Sequence, residues 1–437
     1  MAMLCSDAVA CADELSGVEE REPRSHRATL IVTTRCYLDR LSRSGEDAAA
    51  RLESTTGGYV EERKTVRTAF PVIDTDIHPT LEPDHIVDYL AEPWRGRFAS
   101  GNRGPGTLGY WNAAGFHQAD AVTDDGEGIA SSPETLSRLF FDVHGLDYGI
   151  LNSETAIHIG VGPDLDFGAA LLSAMNDVMA NEWLPVDPRF RASINIGPSD
   201  PVLAAREIHR LGDHPGMVQV MMGSGARVPY GQRFYHPIYA AAVEHDLPVA
   251  IHPGNEGVGI TGPPNAAGYP SSYIEWHTTL VTSYISHLVS LITEGVFVRF
   301  PTLKFVLVEG GVSWLPPILW RLDKNWKALR QTTPWLERPP SEYAREHIRL
   351  TSQPMEEPDN PRHRKAMLEM IDVDRMVMFS SDFPHWDGDT VDFAARSFTK
   401  DQRSRVLSET AREVYHLPPA PTAEAPEAEA TLAHVRA

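Results

Sequence analysis

The chain has 437 residues, 42% hydrophobic and 23% charged, the composition of a globular protein with a large core. Its 39 basic and 60 acidic residues give a formal net charge of −21, which repels a phosphate backbone and argues against a nucleic-acid partner. No apolar run approaches the roughly 20 residues that span a bilayer. The three cysteines, Cys5, Cys11 and Cys36, all fall near the start, so neither a membrane span nor a disulfide framework is expected.

The opening MAMLCSDAVACADELSG lacks a basic n-region and breaks its apolar stretch at Ser6 and Asp7, so a cytoplasmic protein is expected. Residues 1–68 carry many charges and no sustained period, and read as a partly disordered N-terminal extension. From 69 to 416, short β-branched runs alternate with amphipathic segments, the sign of βα units around a parallel sheet. The runs are FPVIDTD ending at Asp76, DYGILNS near 147–153, FRASINIG near 190–197, MVQVMM at 217–222, LPVAIH ending at His252, LKFVLVEG ending near Glu309, HIRLTSQ near 347–353 and RMVMFSSD ending at Asp382. Eight such runs close a (β/α)₈ TIM barrel. Helical segments lie between them, among them PVLAAREIHRLG behind an Asp200 cap. Residues 417–437 form a Pro/Ala/Glu tail too poor in large apolar groups to pack, and are expected to be disordered.

Two insertions, 101–128 after the first strand and the Gly/Pro-rich 253–272 after the fifth, follow strand C-terminal ends. Barrel active sites are built on that face, so both are candidate lids. Polar residues interrupt the apolar runs at the same ends: Asp74, Asp76 and His78 on the first strand, His252 on the fifth, Glu309 on the sixth and Asp382 on the eighth. Period two sets Asp74, Asp76 and His78 on one face. A lone histidine or aspartate at a strand end is usually a hydrogen-bonded or capping residue. Asp76, His78, His252 and Asp382 converging on one barrel mouth instead make a ligand set for Zn²⁺, Mn²⁺ or Fe²⁺.

Four stretches, D-T-D-I-H-P at 74–79, A-I-H-P-G at 250–254, L-V-E-G-G-V-S-W-L-P at 307–316 and S-S-D-F-P-H at 380–385, resemble the amidohydrolase-related family of the amidohydrolase superfamily. The resemblance runs from about 71 to 415 and is closest on the branch of aminocarboxymuconate semialdehyde decarboxylase and other non-oxidative decarboxylases. It implies a metal-dependent homodimeric barrel. His252 and Asp382 then fall on the family's strand-5 and strand-8 ligands, with Asp382 also handling protons. Asp76 stands where the family's D-x-H-x-H motif has its first histidine, and Glu309-Gly310-Gly311 stands where many members read H-G-G. A glutamate there serves as general acid or base, but when ionised it donates no hydrogen bond.

No lysine occurs in the fourth run, so the bridging carbamate of two-metal members has no candidate and one divalent ion, Zn or Mn, is expected. The aspartate at 76 hardens the set toward Mn²⁺. Further substrate-binding candidates are His277, Trp314, Tyr235, His385 and Arg321, each with a plain structural alternative: packing for the aromatic rings, and solvent or Asp323 for Arg321.

The favoured activity is decarboxylation of a small carboxylated compound, with Asp382 and Glu309 moving the proton. Hydrolysis of an amide, ester or lactone uses the same acid, base and Lewis acid. A barrel that only binds a ligand is a further alternative. An aspartate-nucleophile phosphatase on a doubly wound sheet fits poorly, because it leaves His252 and S-S-D-F-P-H without a role.

Overall fold

A computed structural model describes residues 70–419. Eight parallel strands follow one another around a single sheet: β1 (Ile73–Ile77), β2 (Tyr148–Leu151), β3 (Phe190–Asn195), β4 (Met217–Gly223), β5 (Val249–His252), β6 (Phe305–Leu307), β7 (Ile348–Thr351) and β8 (Val377–Met378). Each coincides with one of the eight apolar runs. Backbone bonds close the ring between first and last strands: the Thr75 and His78 amides donate to the Phe379 and Phe383 carbonyls, and the Asp382 amide donates to the Asp76 carbonyl. The fold is the (β/α)₈ barrel expected from the pattern.

The helices that bear on the core or the site are α1 (Glu154–Ile159), α2 (Leu165–Val178), α3 (Pro201–Leu211), α4 (His236–Glu244), α5 (Tyr273–Thr279), α6 (Val281–Thr293), α7 (Leu315–Leu329), α8 (Pro361–Met370) and α9 (Thr410–Val414). The Asp200 side chain caps α3 by accepting from the Val202 and Leu203 amides, as its sequence position implies. Alternation along the strands sorts the apolar side chains into two layers. Phe190, Ile251, Leu307 and Leu350 face outward onto helix residues such as Trp183, Tyr239 and Leu291. Ile73, Ile150, Met221, Ala250, Val306 and Met378 fill the barrel, whose floor is sealed by Val414, Tyr415 and Leu417.

Leu417 is thus packed, and Tyr148 Oη donates to the Pro419 carbonyl, so ordered chain continues into the segment assigned to the tail. Residues 1–69 and 420–437, on which the remaining extension and tail expectations fall, lie outside the described residues. Among the described residues no helix is long and apolar enough to cross a membrane.

One buried imidazole outside the mouth gives a pH signature. On α6, His287 accepts from the Tyr230 amide at 3.1 Å, donates to the Ser224 carbonyl at 2.7 Å and stacks on the Tyr230 ring. Burial pulls it down to about 4, below the ordinary 6.5. A group depressed in the folded state contributes stability that is present above its unfolded pKa and lost as pH falls through the folded one. Denaturant unfolding should therefore show His287→Gln losing roughly 2–3 kcal/mol of the wild-type stability difference between pH 7.5 and 4.5. An unchanged difference would rule the assignment out.

Candidate metal centre

The local chain explains why four ligand-type side chains meet. Asp76 lies within β1 and His78 just after it, His252 ends β5, and Asp382 sits on the turn leaving β8, drawn back by its amide bond to the Asp76 carbonyl. All four are buried, and one donor atom from each lies within 4.8 Å of the others. His78 Nε2 is 3.3 Å from Asp76 Oδ1 and 2.9 Å from Asp382 Oδ1, and His252 Nε2 is 3.6 Å from Asp76 Oδ2.

Both imidazoles are fixed in the same way. His78 Nδ1 donates to the Asn152 carbonyl at 3.0 Å and His252 Nδ1 donates to the Pro253 carbonyl at 2.8 Å. Each therefore turns Nε2 inward, the tautomer that metal-binding histidines use. Asp76 Oδ2 and Asp382 Oδ2 are buried without a hydrogen-bond partner. Buried polar atoms are almost always satisfied, so inward orphan oxygens on both clustered carboxylates fit a cation site. The donor set, two imidazoles and two carboxylates, fits one divalent ion, zinc or manganese.

The electrostatics agree. Burial alone would lower the His78 imidazole, yet the facing Asp76 carboxylate overrides it and pushes it up to about 10. Burial likewise opposes ionisation of Asp76 and Asp382, but the neighbouring imidazoles hold both carboxyls below the usual range. This pocket demands positive charge, whether as protons or as an ion. Asp74 does not join the group. The register of β1 is irregular between Asp74 and Ile77, which breaks the strict alternation assumed from sequence, and Asp74 Oδ1 accepts instead from the Asp76 and Ser381 amides. Burial raises the Asp74 carboxyl to about 7.

Above the four residues opens a cavity of about 210 Å³. Both insertions contribute to its wall, Tyr110, Asn112 and Phe116 from the first and Pro253 and Gly254 from the second, with Tyr273, Trp276 and His277 of α5 beside them. Tyr110 Oη donates to the Pro270 carbonyl at 2.7 Å and so joins the two insertions. Glu309, two residues past β6, lines the cavity with Oε2 3.1 Å from His252 Nε2. Burial first, then the Asp382 charge, hold its carboxyl well above the ordinary range. The Glu309 and Asp382 backbones both adopt left-handed φ, 54° and 60°, a costly conformation for non-glycine residues that recurs at functional sites.

The remaining candidates divide. His385 lines the cavity, stacks on His78 with centroids 4.3 Å apart, and donates Nδ1 to Asp382 Oδ1 at 2.7 Å. His277, midway along α5, also lines it, 3.4 Å from Asp387 and 4.0 Å from Glu309. Three candidates are absent from the lining. Tyr235 is buried in the outer layer, its hydroxyl spent on the Val228 carbonyl. Trp314 donates back to the Gly310 and Gly311 carbonyls. Arg321 is exposed on α7, and Asp323 accepts from Ser341 instead.

Sequence reasoning missed Asn152, Glu154 and Asp387. Glu154 opens α1 and lies 3.5 Å from His385 Nε2, and Asp387 faces His277.

Fold and site together define a metal-dependent (β/α)₈-barrel enzyme. A family model described as amidohydrolase matches residues 73–417, and the chain belongs to that family. It is similar to a gamma-resorcylate decarboxylase from a Rhizobium species, 25% identical over 330 residues covering 70% of this chain and 94% of the relative. A Polaromonas gamma-resorcylate decarboxylase is 28% identical over 61% of this chain and 83% of the relative. The fold matches 5-carboxyvanillate decarboxylase from Novosphingobium aromaticivorans, a structure with manganese and 4-hydroxy-3-methoxy-5-nitrobenzoic acid, at a TM-score of 0.60 and 21% identity over 81% of this chain and 99% of that one.

Proposed function

We propose that this protein is a non-oxidative carboxy-lyase that removes CO₂ from a small aromatic carboxylic acid, with Asp76, His78, His252 and Asp382 holding one divalent ion. What carries the assignment is the buried ligand group with its inward orphan atoms, beneath a cavity walled by aromatic rings. The names of the relatives, decarboxylases of hydroxylated benzoates, support this substrate class and this reaction over hydrolysis.

The charge of the cavity supports it too. Among the described residues the lining holds no lysine or arginine, so the pull on an anionic substrate comes from its histidines and from a bound cation. When bound, the ion supplies that positive charge and acts as a Lewis acid toward the substrate's oxygens. In the reaction the C–C bond to the carboxylate breaks, CO₂ leaves, and a proton takes its place on the ring carbon. Asp382 and Glu309 move that proton. Glu309 presents its carboxyl at the cavity wall beside His252, and Asp382 is joined through His385 to Glu154 on the same wall. Tyr273, Trp276 and Trp386 line the cavity where an aromatic ring would stack.

The aspartate at 76 favours manganese over zinc. We further infer a homodimer, from the resemblance.

The test is elemental analysis of chelator-free protein followed by CO₂ release from a panel of hydroxybenzoates, run beside ester and lactone cleavage. One equivalent of metal with CO₂ release is expected. Metal with cleavage of esters or lactones alone would transfer the enzyme to the hydrolases, and no metal despite supplementation would leave a ligand-binding barrel.

A further inference from the structure

Asn152 immediately follows β2, is fully buried, and has no part in the chemistry above. Its side-chain Nδ2 donates to Asp76 Oδ1 at 2.8 Å and to the Thr75 carbonyl at 3.3 Å, while its main-chain carbonyl accepts from His78 Nδ1 at 3.0 Å. One residue thus touches two of the four clustered side chains.

The amide is itself oriented from below. Tyr415, on the barrel floor beyond α9, donates Oη to Gln219 Oε1 at 3.1 Å. That leaves Gln219 Nε2 as the donor, to Ser193 Oγ at 2.9 Å and Asn152 Oδ1 at 3.2 Å, and Ser193 Oγ in turn donates to Asn152 Oδ1 at 2.5 Å. With two donors on Oδ1, the amide must turn Nδ2 toward Asp76, whose ionised carboxylate only accepts. A flipped Asn152 would set oxygen against oxygen above and N–H against N–H below. The chain therefore runs from the floor across β4, β3 and β2 to Asp76 on β1, every member buried and those below Asp76 satisfied, the condition under which a polar network rigidifies its surroundings.

We infer that Asn152 is a positioning residue for the metal centre: it occupies Asp76 Oδ1, leaving Oδ2 as the one oxygen turned to the ion, and fixes the His78 ring through its carbonyl. Asp76 Oδ2 is the atom of that carboxylate without a partner. The inference rests on the assignment of Asp76 and His78 as ligands.

The experiment is Mn²⁺ affinity of chelator-stripped protein, measured by competition with a chelator of known affinity, for wild type, Asn152→Ala, Tyr415→Phe and Tyr239→Phe. Groups that orient metal ligands typically contribute about 10–100-fold in affinity, the weakening expected for Asn152→Ala. Tyr415→Phe, which removes the anchor of Gln219 without opening the core, should weaken binding about five-fold, the worth of one hydrogen bond. Tyr239→Phe removes a buried hydroxyl bonded at 2.6 Å to the Tyr230 carbonyl, away from the chain, and should leave affinity unchanged even if it lowers stability.

Folded Asn152→Ala with wild-type affinity overturns the inference. If that variant does not fold, wild-type affinity in Tyr415→Phe overturns it. An equal loss in Tyr239→Phe would reduce the effect to general destabilisation and overturn it as well. Wild-type protein that binds no Mn²⁺ would instead sink the ligand assignment beneath it.

Discussion

Asp382→Asn is expected to lower kcat about 1,000-fold at saturating metal, within the range for loss of a positioned acid-base group. The substitution is close to isosteric, and its amide oxygen still accepts from His385 Nδ1, 2.7 Å from Oδ1 in the wild type. Asparagine also tolerates left-handed backbone better than most residues, so the φ of 60° at this position adds little strain. The fold should survive, and lost activity then reports chemistry. Two things disappear: one of two anionic members of the ligand group, which should weaken Mn²⁺ binding more than about ten-fold, and, in the proposed reaction, the carboxylate that takes and returns the proton. Metal titration separates them, because excess Mn²⁺ restores occupancy but not the proton acceptor. Full kcat at saturating Mn²⁺ would show that Asp382 is a ligand only.

Glu309→Gln should behave differently, keeping close to one equivalent of metal while kcat falls about 100-fold. Glu309 is outside the four-residue group yet touches it through His252, and its carboxyl faces the cavity. Glutamine keeps the size and a hydrogen-bonding end but cannot transfer a proton. Elemental analysis and kcat measured on the same preparation decide the role. Loss of metal along with activity would make the sixth-strand residue a ligand, and unchanged kcat would remove it from the chemistry. Glu309→His, which installs the residue that the resemblance implies for many relatives, extends the test: recovery of rate in that variant would show that any proton-carrying side chain suffices there.

The barrel was legible because its eight apolar runs are separated by amphipathic segments, a pattern that depends only on which faces must be buried. Asp76, His78, His252, Glu309 and Asp382 were legible for a related reason: a polar side chain ending an apolar strand has to be satisfied at the mouth. Asn152 obeys the same rule at the end of β2 and was overlooked because an amide is not a ligand type. Glu154 at the first position of α1 looks like any acid favoured at a helix start, and Asp387 lies in a loop whose path no periodicity specifies. Tyr235, Trp314 and Arg321 failed in the other direction. All three follow strand ends in sequence, but in each case the element carrying them turns the side chain away from the cavity, toward the outer layer, the backbone or solvent. Asp74 failed because a local irregularity in β1 shifts the alternation by which a strand assigns faces.

The bond from Tyr110 to the Pro270 carbonyl joins two segments 160 residues apart in the chain. A substrate approaching from solvent meets one tied roof rather than two independent flaps. Grafting a relative's loop at either place alone would break this bond, so the two segments are expected to set selectivity together. Attempts to redirect this enzyme toward new acids should exchange 101–128 and 253–272 together, with the tyrosine and its carbonyl partner retained.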